Sequence, residues 1–267
     1  MPDWPDMTLL LATGLVGGML GGLLGIGGSV LFIPVMTEVL GADMHTAIAA
    51  AMVINVCVGL SSTLGHRGTG RIMPHILMVL VPASMVAAVV GVEVGGRFTG
   101  EMEVWLRRVF GAFMVYIIGF TIYRMFRPLS ATDSAPGNVV GKHPTRVSIA
   151  LVGGLKGFAS GLLGIGGGSV AVPALQMFCR LRLRAAIANS AAALFFSCVV
   201  AAIVKHLSAT EDMDLKRAWV YVGFVAPTAV VGAYAGSRWA HRVGRVWIRL
   251  VFVLSLGWVA YRMLLEA

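Results

Sequence analysis

Two runs of the chain hold the groups best suited to binding something small and negative. They are Gly22-Leu-Leu-Gly-Ile-Gly-Gly28, followed by Ser29, and Gly161-Leu-Leu-Gly-Ile-Gly-Gly167, followed by Gly168 and Ser169. Glycine reaches the φ > 0 geometry needed to break a helix and brings no side chain to obstruct close approach. A helix restarting after such a break presents unpaired N–H groups and a partial positive charge, which together form an anion cradle. Ser29 and Ser169 can cap that helix or donate a hydroxyl to the same anion. The candidate binding residues are therefore Gly25, Ile26, Gly27, Gly28 and Ser29 in the first run. Gly164, Ile165, Gly166, Gly167, Gly168 and Ser169 are their counterparts in the second. Close helix–helix packing is the competing use of such glycines. A nucleotide loop is excluded, because the Lys-[Ser/Thr] ending is missing and no βαβ pattern surrounds either run.

Lys156 is the one basic residue deep within an apolar stretch. It lies nine residues after Val147, about 14 Å along a helix, which is far for a lysine to snorkel. Intramembrane charge is costly and marks a pathway or a paired site. Lys156 precedes Gly164 by two helical turns and so belongs with the second cradle, whereas its counterpart in the first half is Gly17. Glu93, between Gly91 and Gly95, is the candidate for a coupling proton or for pairing with Lys156, and equally suits a place near the outer interface. Asn189 and Ser190 are candidate substrate contacts. They and Asn55 equally suit gluing helices together. His66 and Lys205 sit at helix ends, where contact with solvent or headgroups is expected. Trp105, Trp219, Trp239 and Trp247 read as interfacial anchors. Cys57, Cys179 and Cys198 lack CxxC spacing, so disulfide, zinc and iron–sulfur readings have no support. No Ser/His/Asp set or metal-ligand spacing falls within the apolar segments, so neither an enzyme nor a cofactor is expected.

The elements that position these groups must be membrane helices. Of 267 residues, 58% are hydrophobic and 12% charged, against roughly 25% charged in a soluble domain. Segments 8–24, 44–64, 73–92, 109–123, 185–204, 218–236 and 246–261 approach bilayer-spanning length with little charge. The net charge of +9 comes in short clusters between apolar runs, which argues for membrane loops and against nucleic acid. The N-terminal residues hold Asp3 and Asp6 without Lys or Arg, so no cleavable signal is expected.

The chain repeats itself. An offset of 139 aligns the two glycine runs and brings Pro34 onto Pro173. Gly91-x-x-x-Gly95-x-Arg97 matches Gly232-x-x-x-Gly236-x-Arg238, and Tyr123-Arg-Met125 matches Tyr261-Arg-Met263. The expected organisation is a first transmembrane repeat at 1–127, a linker at 128–145 and a second repeat at 146–267. The short apolar segments after the breaks, 29–40 and 169–179, cannot span a bilayer. Each repeat then reads as a broken helical hairpin plus three transmembrane helices, in an all-α integral membrane protein. Because three spans is an odd number, the second copy is inverted, as is common in secondary transporters. This topology puts thirteen basic residues on one side, among them Arg67, Arg71, Arg180, Arg182, Arg184 and Arg238. It leaves seven on the other, with most of the acids, which makes the richer side cytoplasmic.

Paired Gly-Leu-Leu-Gly-Ile-Gly-Gly motifs, each with a following proline, in a two-copy apolar chain of this length resemble the TauE/SafE family of sulfite exporters. Ala188-Asn-Ser190 is similar to the small-residue-then-Ser pattern opening the family's next helix. The resemblance covers the chain outside the linker. It implies permeation of small sulfur anions such as sulfite or organosulfonates, as an exporter in a bacterial inner membrane, with membrane lipid as the surroundings. The first copy has Ser29 where the second has Gly168, and Ala49-Ala-Ala51 in place of the serine pattern. The second half is therefore expected to dominate the site. An anion channel and a non-transporting membrane accessory protein are the alternatives, and the sequence leaves homo-oligomerisation open.

Overall fold

The structure is a computed structural model that describes residues 4–98, 100–126, 139, 144–209 and 213–239. The expected last span at 246–261, Trp247, the Tyr261 motif and most of the linker lie outside the described residues.

The described chain is helical: α1 (Trp4–Leu24), α2 (Ser29–Pro34), α3 (Met44–His66), α4 (Pro74–Gly95), α5 (Glu103–Phe126), α6 (Arg146–Leu163), α7 (Gly168–Met177), α8 (Leu183–Leu207) and α9 (Leu215–Trp239). Helices α1, α3, α4, α6, α8 and α9 are each long and apolar enough to cross a bilayer. Large apolar side chains such as Leu15, Met78, Val86 and Ile203 remain exposed along them, as expected where lipid is the solvent. Trp105, Trp219 and Trp239 are also more than half exposed. The protein is a multi-pass integral membrane protein.

Both expected breaks are present. Helix α1 ends with Gly25 N–H donating to Gly21 O at 2.9 Å, and α6 with Gly164 N–H donating to Ser160 O at 3.0 Å. Gly25 and Gly164 then take φ of 68° and 67°, the left-handed region in which only glycine is at ease. Pro34 removes an amide from the short helix that follows, which widens into a π turn over Val35–Val39. Asp43 caps α3 by accepting from Thr46 N–H at 2.6 Å, and Thr145 caps α6 by accepting from Ser148 N–H at 3.2 Å.

Two helix pairs carry the close packing, α1 with α9 and α6 with α4. Both rely on glycines at every fourth position, which let backbones approach to a distance no other residue permits. A Cβ on Gly157 would strike the backbone of Ser84, and one on Gly161 that of Ala88. Their counterparts Gly18 and Gly22 meet Ala229 and Ala233 in the same manner. These partners (229 against 84, 233 against 88) stand 145 apart, as do Pro82 and Pro227. The Gly91/Gly95 match to Gly232/Gly236 is therefore displaced by one turn from the contacts. A stripe that repeats every four residues matches itself just as well after a four-residue slip, and only packing reveals the register.

Helices α3 and α8, equivalent at the 139 offset, run antiparallel. Lys205 near the end of α8 meets His45 at the start of α3 (Nζ to Nδ1, 2.8 Å). Asn189 near the start of α8 accepts from Met73 N–H, past the end of α3, at 2.9 Å. His66 and Lys205, expected at solvated helix ends, are both only 3% exposed. Lys205 is enclosed because α3 and α9 both begin beside it: Asp214 N–H donates to Thr46 Oγ1 at 2.8 Å.

Candidate functional site

Residues 25–29 and 164–169 are buried throughout and pack directly on one another. A Cβ on Gly168 would collide with the Gly25 carbonyl and Ile26, and one on Gly27 would lie 3.3 Å from the Ile165 carbonyl. The two breaks thus form one junction between α1–α2 and α6–α7.

A residue outside the sequence-derived set sits at its centre. Asn55, fully buried on α3, accepts from Gly28 N–H at 3.3 Å through Oδ1. Its Nδ2 donates to Ser29 Oγ at 2.9 Å and to Gly164 O at 3.1 Å. One amide side chain therefore satisfies the restarted helix of the first break and the terminal carbonyl of the second. The position equivalent to Asn55 at the 139 offset is Leu194, whose Cδ1 reaches Gly166. A leucine can neither donate nor accept.

The second break is consequently left with polar groups unengaged. Ser169 is 5% exposed, and among the described residues its hydroxyl has no hydrogen-bond partner. The amides of Gly166, Gly167, Gly168 and Ser169 open helix α7, where N–H groups have no intrahelical acceptor. Gly166 and Gly167 take φ of 70° and 66°, the left-handed geometry that reverses the chain before α7.

Lys156 stands against this turn. It is fully buried, and a Cβ on Gly167 would collide with the Lys156 carbonyl and lie 2.7 Å from its Cγ. Its ammonium donates to Ser197 Oγ on α8 at 2.6 Å, and Ser197 in turn donates to Ala193 O at 2.9 Å. Ser160 and Cys198 lie alongside, Oγ to Sγ 3.7 Å. Among the described residues no carboxylate forms an ion pair with Lys156. An ammonium enclosed without a counter-charge is unfavourable by several kcal/mol, and one hydroxyl acceptor leaves two N–H groups for a ligand.

The first half fills the equivalent space differently. Gly17 occupies the Lys156 position, and the buried ring of Phe32 lies over both Gly17 and Gly28. Phe32 corresponds to Ala171, so each half places one large side chain over its break, from opposite helices: a phenyl ring in one and an ammonium stem in the other.

The remaining candidates divide. Ser190 reaches the junction, donating to Gly25 O at 2.9 Å. Asn189 does not: it donates to Arg71 O at 2.9 Å and Ala185 O at 2.8 Å and accepts from Met73 N–H, so its amide ties the loop before α4 to α8. Glu93, read as a buried coupling or pairing carboxylate, is exposed, because it lies in the last turn of α4 on the face away from α6. It lines a cavity with Arg97 and Lys205. Cys57, Cys179 and Cys198 are free thiols, and burial pushes Cys179 up to about 11, far from reactive thiolate character.

The sulfite exporter TauE/SafE family model matches residues 10–263. The chain is similar to "Probable membrane transporter protein YunE" of Bacillus subtilis, 25% identical over 250 residues that cover 87% of this chain and 88% of the relative. A "Probable membrane transporter protein" of Haemophilus influenzae is 28% identical over 175 residues, 62% of this chain and 61% of the relative. "Probable membrane transporter protein MamO" of Magnetospirillum gryphiswaldense is 24% identical over 281 residues, and this chain spans 43% of its length. No solved structure matches.

Proposed function

The chain belongs to the sulfite exporter TauE/SafE family, and from that premise we propose that it moves a small sulfur-containing anion, such as sulfite or an organosulfonate, by alternating access. The observation that carries this reading is Lys156: an ammonium enclosed, among the described residues, without a carboxylate, beside a helix start whose Ser169 hydroxyl has no partner there. The anion supplies the missing counter-charge. It accepts from Lys156 Nζ, Ser169 Oγ and the amides at the start of α7, which are charge-assisted or dipole-favoured bonds. No covalent step is involved.

The architecture we propose is a pair of inverted repeats, 1–127 and 146–267, joined by the linker at 128–145. The antiparallel course of α3 and α8 supports it, as does the reciprocal pairing of α1 with α9 and α6 with α4. In the arrangement described here the breaks meet and exclude water, so binding requires the α6–α7 hairpin and α8 to part. Inverted repeats permit this from either side in turn.

The test is purified protein in proteoliposomes loaded with radiolabelled sulfite, alongside a thermal-shift screen of sulfite, sulfate, taurine-like sulfonates and carboxylates. Saturable efflux together with a raised melting temperature in a sulfur anion supports the reading. Flux that never saturates indicates a channel, and absence of both flux and stabilisation overturns transport.

A further inference from the structure

Two cavities lie at opposite ends of α3 and are built from corresponding parts of the chain. The first, about 230 Å³, is formed where α4 and α8 end and is lined by Glu93, Gly96, Arg97, Lys205 and Ser208. The second, about 350 Å³, is formed where α3 and α9 end and is lined by Arg67, Thr69, Tyr234, Ser237 and Arg238. Lys205 touches His45 at the start of α3, while Arg67 and Thr69 follow its end. The length of a 23-residue helix, roughly 34 Å at 1.5 Å per residue, therefore separates them. Thr69 matches Ser208 at the 139 offset. At the 145 offset that the α4 and α9 contacts obey, Arg238 matches Glu93. That one position carries opposite charge in the two cavities; the first also holds the cations Arg97 and Lys205, whereas the second holds Arg67 and Arg238 with no acid.

The surroundings extend this reversal. The segments at the second end, 64–76, 144–150, 177–187 and 234–239, contain Arg67, Arg71, Arg146, Arg180, Arg182, Arg184 and Arg238 and no Asp or Glu. Arg71 and Arg184 stand close enough that burial, with the neighbouring guanidinium, lowers Arg71 from its ordinary value. The first end is mixed: Asp6, Glu38, Asp43, Glu93 and Asp214 lie there together with Arg97, Arg107, Arg108, Lys205, Lys216 and Arg217. Arg238 is held in place: its Nη1 donates to Tyr234 Oη at 2.8 Å and its guanidinium lies 5.5 Å from that ring's centre.

We propose that the cavity between α3 and α9 is an anion-collecting site for small sulfonates and sulfur oxyanions, with Arg67 and Arg238 as its cations and the Thr69 and Ser237 hydroxyls as further donors. The Glu93 cavity differs in kind: its lining mixes that carboxylate with Arg97 and Lys205, so it presents no field of one sign. A concave surface of one charge sign raises the local anion concentration. The inference rests on the transport reading and deepens it, placing an anion-collecting surface at the arginine end of the helices.

The experiment needs no transport. Thr69→Cys and Ser208→Cys are made separately, with wild-type protein and its three native thiols as the blank. Each is modified with the anionic 2-sulfonatoethyl and the cationic 2-trimethylammonioethyl methanethiosulfonate reagents. The anionic-to-cationic rate ratio is expected to be on the order of tenfold higher at Thr69→Cys than at Ser208→Cys at low salt, converging as salt screens the field. Adding Arg238→Gln should lower the first ratio several-fold, and adding Glu93→Gln should raise the second. Equal ratios at the two positions, or a Thr69→Cys ratio unmoved by Arg238→Gln, overturn the proposal. Saturable sulfite flux alongside equal ratios sinks only this inference, whereas unequal ratios in protein without flux sink the transport reading and leave the anion site standing.

Discussion

The two glycine breaks share a sequence and a backbone yet differ in what lies over them. At the first, Phe32 covers Gly17 and Gly28, and Asn55 takes up the Gly28 amide and the Ser29 hydroxyl. At the second, the ring is absent, Leu194 stands where Asn55 would be, and Lys156 supplies a buried ammonium beside an unpartnered Ser169. One break is closed internally by apolar volume and a neutral amide. The other, among the described residues, keeps an ammonium without a carboxylate and a hydroxyl without a partner. On the function proposed above, the duplicated unit divides into a structural half and a binding half through the side chains that cover each break.

Breaking that difference at its charged member should have the largest effect. Lys156→Met keeps the stem and removes the ammonium. Anion affinity, read from the thermal shift with sulfite, should fall about ten- to hundredfold, as loss of a charge-assisted hydrogen bond predicts. The melting temperature without anion should hold or rise, because an unpaired buried charge has been removed. A variant that melts lower and still binds would contradict the assignment.

Asn55→Leu makes the first break resemble the second. Three buried hydrogen bonds are lost, and at about 0.5–1.5 kcal/mol each the folded state should weaken by roughly 2–3 kcal/mol, measured by denaturant unfolding in detergent. Sulfite affinity per folded molecule should change less than in Lys156→Met, since Asn55 holds the junction and does not supply the charge.

The serines sharpen the contrast with the smallest effects. Ser29→Ala should lose about 1 kcal/mol of stability, because Asn55 Nδ2 loses an acceptor. Ser169→Ala should cost nothing in anion-free protein and should weaken sulfite binding several-fold, read by titration calorimetry. If the two serines behave alike, the halves are not divided as described.

How much of this was legible beforehand depends on whether a feature is local or tertiary. The breaks were legible, since Gly-x-Gly-Gly in an apolar run has few other uses, and so was the enclosure of Lys156, two turns deep in a helix. Asn55 was not: an asparagine in mid-helix carries no local mark separating the residue that spans two breaks from one that glues two helices. Asn189 shows the converse, looking like a ligand contact in sequence and tying a loop in the structure. Glu93 was open between a buried site and the outer interface, and its exposure decides for the latter: the flanking glycines pack on α6 through their own face and leave the carboxylate pointing away. The match of Phe32 with Gly17 and Lys156 with Ala171 involves residues 15 apart in both halves, and no pattern in either strand of sequence links them before the hairpins fold.

The most direct measurement converts the second break into the first. Lys156→Gly combined with Ala171→Phe copies the Gly17–Phe32 pair into the α6–α7 hairpin, replacing the ammonium stem with a ring on the opposite helix. Sulfite-dependent stabilisation and radiolabelled sulfite efflux are measured on this variant and on wild-type protein. The account predicts a cooperatively melting protein that no longer responds to sulfite and no longer releases it from proteoliposomes. Saturable efflux at the wild-type rate from the double variant would contradict it.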